Sequence, residues 1–173
     1  MSRFKYRFTL HQIYAHYART GTLKWRDLAK VGRVSSRTLS KYFENTQMLE
    51  KELCEYHLKN LEHIYSHSNT GSKNKNDFQF RRVWAFVKRH RIVYQFTDQA
   101  FKNNLDERGK EIKTAHFEMI RKAMLKGGVE EDRADPELAF NFFLTELPNN
   151  EKGQAMFFHF MKFFAKPTQE VVS

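Results

Sequence analysis

Apolar residues recur at helical spacing almost from the start of the chain. Tyr6, Leu10, Ile13, Tyr14 and Tyr17 fall on one stripe that stops at Thr20-Gly21, which predicts a first helix over roughly 5–19. Thr9-x-x-Gln12 resembles a capping box. Residues 3–8, RFKYRF, alternate cation and aromatic, a pattern open to an edge strand, a disordered arm or the first turns of that helix. Next, Trp25, Leu28 and Ala29 recur at i, i+3 and i+4, and Val34, Leu39 and Phe43 form a second apolar stripe. The interval 30–34 is too short for anything but a tight corner. Ser35 is placed to accept a hydrogen bond from the backbone N–H of Arg37 or Thr38, so a second short helix should begin sharply there.

The remainder also reads as helices. Residues 47–66 carry Leu49, Leu53, Tyr56, Leu61 and Ile64 as inward candidates, and 69–76, NTGSKNKN, form a loop without an apolar residue. Helical patterns follow at 78–105 and 107–126, the second ended by Gly127-Gly128. Asp135-Pro136-Glu137 is a helix start for 138–147, and a last helix is predicted over 151–165. No strand-like region and no long repeat appears, so the expected class is all-α with a helical-bundle body. The last two segments are rich in Phe: Phe140, Phe142, Phe143, Phe157, Phe158, Phe160, Phe163 and Phe164. So much apolar surface needs cover, either from the chain's own core or from a second copy. A membrane surface is disfavoured because Lys152, Lys162 and Lys166 form no broad basic face.

Charge sharpens the picture at the N-terminal end. The chain of 173 residues carries a formal net charge of +10. Through Thr46 there are ten cations (Arg3, Lys5, Arg7, Arg19, Lys24, Arg26, Lys30, Arg33, Arg37 and Lys41) against Asp27 and Glu44, which places +8 there. This asymmetry is the footprint of a nucleic-acid-binding head on a nearly neutral body. With Leu39 and Phe43 inward, the second short helix should present Ser36, Arg37, Ser40 and Lys41, with Thr38 and Tyr42 at the margins. Hydroxyls and cations on such a face suit the major groove, where Arg can take guanine bidentately.

Other chemistry finds little support. There is no Gly-rich phosphate loop, HExxH, nucleophile elbow or CxxC, and Glu111 and Glu118 read as solvated helix residues, so no enzymatic activity and no cofactor are expected. His57, His63 and His67 lack further ligands at convincing spacing, so no metal site is expected. The single Cys54 reads as a small buried hydrophobe and fits a reducing compartment. With no long apolar run and no signal segment, a soluble, cytoplasmic protein is the expectation.

The string LAKVGRVSSRTLSKYFENTQML, which ends at Leu49, resembles the head of the tetracycline-repressor (TetR) family of transcriptional regulators, whose pattern runs close to IAxxAGVSxGTLYxYFxSKExL. Leu28, Ala29, Val34, Ser35, Thr38, Leu39, Tyr42, Phe43 and Leu49 fall on its positions, and Gly21 on the glycine that ends the first helix. The resemblance covers about the first fifty residues. It implies a three-helix helix-turn-helix domain over 1–46 and a helical ligand-binding and dimerisation domain over 47–173. It implies DNA contact by Ser36, Arg37, Thr38, Ser40, Lys41 and Tyr42, and a homodimer sealed by residues such as Phe143, Phe157, Phe160 and Phe164. It further implies a palindromic operator in double-stranded DNA and a small hydrophobic or aromatic effector that releases the repressor. A pocket for that effector would lie among the helices of 78–126, where Trp84, Tyr94, Phe96, Phe101, His116, Phe117 and Met119 are candidates.

Some positions depart from the pattern in informative ways. Gly32 stands for the usual Ala, Arg33 for the turn glycine, Ser40 for an aromatic and Thr46 for a frequent lysine. Either Arg33 holds a positive φ, at a cost of about 1 kcal/mol, or Gly32 makes the turn instead. An alternative compatible with these departures is a TetR-like protein that no longer reads specific DNA and acts through protein partners.

Overall fold

The computed structural model describes residues 3–67, 77–126 and 129–146. Every regular element among them is helical: α1 (Arg3–Thr20), α2 (Trp25–Val31), α3 (Ser36–Tyr42), α4 (Thr46–His67), α5 (Asp77–Lys102), α6 (Gly109–Lys126) and α7 (Pro136–Asn141). The predicted helix over 151–165 lies outside the described residues, as do Phe157, Phe160 and Phe164. No described helix is long and apolar enough to cross a membrane.

Contacts divide the chain into two compact units, one of Met1–Ser66 with Ile92–His116, the other of His67–Arg91 with Phe117–Ser173. The 46/47 boundary read from the sequence therefore falls inside the first unit. In that unit Leu10, Ile13, Tyr14 and Tyr17 of α1 meet Leu28 of α2, Leu39 and Phe43 around α3, Leu49, Leu53 and Cys54 of α4, and Phe96 of α5, all buried. Phe96 stacks on Tyr14 with ring centroids 4.4 Å apart and on His57 at 4.5 Å. In the second unit Asp135 caps α7 by accepting from the Leu138 N–H at 2.9 Å, with Pro136 in the first turn, and Phe140 packs on Phe117. After α7 the chain widens into a π turn, Phe142–Glu146.

Two local readings need correction. Helix α1 begins at Arg3, so Thr9 is an interior residue and no capping box forms; its buried hydroxyl instead donates to the Gly32 carbonyl at 3.2 Å. Helix α5 ends at Lys102, earlier than its apolar pattern suggested, because 103–108 form a tight corner in which Asn104, Asp106 and Glu107 all hold positive φ. Gly109 follows, where a Cβ would collide with the Ala100 carbonyl. That close approach explains the glycine at the start of α6.

The core of the first unit also holds a chain of polar side chains, in which buried Tyr14, His57, Thr97 and His116 are hydrogen-bonded to one another. Burying a hydroxyl or imidazole is tolerable when its hydrogen bonds are replaced inside the protein. Cys54 is fully buried as expected, and burial together with nearby Asp106 pushes its thiol up to about 12.

Candidate nucleic-acid interface

The corner between α2 and α3 is built from backbone hydrogen bonds. Gly32 caps α2 with ordinary φ of −74°, and Arg33 follows at φ 53°. The Arg33 N–H reaches the Lys30 carbonyl at 3.2 Å and the Val34 N–H reaches the Ala29 carbonyl at 2.9 Å. This pair of bonds is a Schellman ending, which normally places glycine where Arg33 stands. The left-handed residue is thus Arg33, and Gly32 serves a different purpose. A Cβ on Gly32 would lie 2.7 Å from Thr9 Cγ2 and 3.2 Å from the Leu28 carbonyl oxygen, so the glycine allows the corner to lie against α1.

Ser35 then starts α3. Its Oγ accepts from the Thr38 N–H at 3.1 Å and pairs with the Thr38 hydroxyl at 2.8 Å. Leu39 (1% exposed) and Phe43 (0%) anchor the inner face, which leaves Ser36, Arg37, Ser40 and Lys41 exposed. The marginal positions divide differently. Thr38 is half-buried, its hydroxyl engaged with Ser35. Tyr42 is 7% exposed and belongs to an aromatic cluster, its ring 5.3 Å from that of Tyr6 edge-on and 6.2 Å from that of Phe43. Its spacing of three from Leu39 was the sequence signal for that inward position. Tyr6 in turn donates to Glu52 at 2.9 Å, and burial with this carboxylate pushes its phenol up. Helix α3 is thereby held through α1 to α4.

The cations of the first 46 residues are solvated. All ten of Arg3, Lys5, Arg7, Arg19, Lys24, Arg26, Lys30, Arg33, Arg37 and Lys41 are exposed. Residues 3–8, left open by the sequence, are the first turns of α1, with Phe4 (79%) and Phe8 (38%) exposed among the cations. The start of α4 is capped by Asn45, whose side-chain oxygen accepts from the Met48 N–H at 2.8 Å, and Thr46 is half-buried.

Among the other predicted site residues, Tyr94 and His116 come together with ring centroids 4.8 Å apart, and the Trp84 side chain lies outside the described residues. Phe143 is 8% exposed. Of the pocket candidates, Tyr94, Phe96 and His116 are buried core, whereas Phe101 is 39% exposed with the Lys113 ammonium 4.1 Å from its ring centroid. Glu111 forms a two-point pair with Arg108 at 2.9 and 3.1 Å, which holds its carboxyl below the usual range. No cluster of three or more His, Cys, Asp or Glu suited to a metal occurs among the described residues. No protein-family model and no curated protein matches this chain.

Proposed function

We propose that the chain is a sequence-specific DNA-binding transcriptional regulator, a binding protein rather than an enzyme, and that α2 and α3 form its helix-turn-helix. The observation that carries this reading is the exposed face of α3. Two hydroxyls and two cations, Ser36, Arg37, Ser40 and Lys41, stand on a short helix whose inner face is fixed by Leu39 and Phe43 and whose start is fixed by Ser35. That residue set offers donors to base edges and cations to phosphates. The other exposed cations of the first 46 residues would supply the sequence-independent part of the affinity, which falls steeply with salt.

In this reading two copies bind a palindromic operator, each head entering one major groove, with half-sites about one DNA turn or more apart. The Phe-rich C-terminal region forms the contact between copies. A small hydrophobic or aromatic effector favours a body conformation with unsuitable head spacing, and releases DNA in proportion to its differential affinity for the two conformations.

Substitution on α3 tests the assignment. Arg37→Ala should relax base preference at one operator position at a cost of roughly 1–3 kcal/mol. Lys41→Ala should weaken all sequences alike and reduce the salt dependence of binding by about one unit of slope. Unchanged binding by both variants would remove α3 from the DNA-reading role.

A further inference from the structure

The polar chain inside the first unit defines its own proton positions. Thr97 Oγ1 has three neighbours at hydrogen-bond distance: the Val93 carbonyl at 3.2 Å, His57 Nε2 at 2.9 Å and His116 Nδ1 at 2.8 Å. A carbonyl only accepts, and a hydroxyl has a single proton, so that proton goes to Val93. Both facing ring nitrogens must then be N–H donors. The outer nitrogens follow: His57 Nδ1 accepts from the Tyr14 hydroxyl at 2.8 Å, and His116 Nε2 accepts from the Tyr65 hydroxyl at 3.1 Å. Tyr65, whose own proton is engaged by His116, accepts a hydrogen bond from the Tyr94 hydroxyl 2.9 Å away. Each bond has one donor and one acceptor, and both imidazoles are neutral.

We infer that the chain Tyr14–His57–Thr97–His116–Tyr65–Tyr94 is a proton-sensitive latch that holds α1, and the α2–α3 corner packed on it, against α4, α5 and α6. The latch is closed while both imidazoles are neutral. A proton added to either ring places a second N–H against a hydroxyl that already donates to it, and leaves a charge in a fully buried position. The titratable groups facing the two rings are Tyr14 from α1, backed by His11 and Tyr56, Tyr65 from α4, Tyr94 from α5, and each imidazole for the other across 6.3 Å. Burial lowers both imidazoles, His116 to about 3, and the neighbouring His116 adds to the lowering of His57. Tyr14 is the link that matters for position, because it ties α1 to this chain at the level of Phe96. The inference stands whether or not the head reads DNA.

Histidine-selective nitrogen NMR and hydrogen exchange on the full chain test it together. At pH 7.5 His57 is expected as the Nε2–H tautomer and His116 as the Nδ1–H tautomer. As pH falls to 4.5, residues 3–20 and 36–42 should lose exchange protection before 46–66 and 92–102, by about tenfold per pH unit as His57, the ring bonded to Tyr14, takes a proton. Tyr14→Phe leaves His57 Nδ1 without its donor and should move the loss to higher pH, whereas Thr97→Ser keeps the hydroxyl and should leave it in place. The opposite tautomers, an imidazole titrating near 6.5 with protection unchanged, or simultaneous loss in all segments would overturn the latch. If either variant fails to fold, the wild-type tautomers and order of loss decide the matter alone.

Discussion

The corner between α2 and α3 makes an uncommon demand on two adjacent residues. Gly32 has an ordinary backbone and no space for a side chain, while Arg33 has a left-handed backbone and open solvent around it. In Gly32→Ala the new methyl would lie 2.7 Å from Thr9 Cγ2 and 3.7 Å from Ile13 Cδ1, so α1 and the corner must move apart. Overpacking of this kind costs about 1–3 kcal/mol. Thr9→Ser removes the offending methyl and keeps the hydroxyl that donates to the Gly32 carbonyl, at a cost of about 1 kcal/mol for one buried carbon. The two changes should therefore compensate. The double variant should be less destabilised than the sum of the singles by at least about 1 kcal/mol. Urea unfolding followed by Trp25 fluorescence in a Trp84→Phe background reports on α2 directly. Additive effects would refute the account of Gly32. Arg33→Gly, made alongside, should stabilise by about 0.5–1 kcal/mol, the relief of the left-handed strain exceeding the added freedom of the unfolded chain; destabilisation there would show that the arginine side chain contributes more than its backbone costs.

Further outcomes follow from the caps and the buried groups. Both buried imidazoles are depressed below their ordinary 6.5, so the unfolded chain binds protons that the folded chain refuses. Their stabilisation is complete above about pH 6.5 and is lost as pH falls toward the folded values, with a slope of up to about 1.4 kcal/mol per pH unit for each ring; urea midpoints measured from pH 7.5 to 4.5 should show it, and a flat profile would contradict the burial. Ser35→Ala removes the cap on α3 and should cost about 1 kcal/mol, read as faster exchange of the Thr38 amide than in wild type. The Cys54 thiol, buried and pushed up to about 12, should resist alkylation at pH 8 in the native chain and react promptly in urea; equal rates would show that the α4 core opens readily.

The stripe of Leu10, Ile13, Tyr14 and Tyr17 was legible because helical spacing reports which face is inward, and Ser35 because a cap is a local device. Partner-dependent features were not. Thr9 has a capping pattern, yet its role is set by Gly32, twenty-three residues away. His57 looked like one of several polar-face histidines, and its burial depends on Tyr14, Thr97 and His116 from three other helices. The junction between the helical patterns of 78–105 and 107–126 is wider than the apolar spacing implies, and Asn104 and Asp106, residue types that tolerate the left-handed region, mark the break. On the candidate interface, Ser36, Arg37, Ser40 and Lys41 stand where the pattern placed them, while Tyr42 turns inward because it shares the stripe of Leu39.

Whether the exposed face of α3 reads DNA is settled most directly by selecting bound fragments from random double-stranded DNA with the purified full chain at near-physiological salt, and sequencing them. Recovery of an inverted repeat, with its preference relaxed at one position by Arg37→Ala, is the expected result. Recovery of no motif, with binding that disappears as salt rises, would contradict it and would leave a basic head that attracts nucleic acid without reading it.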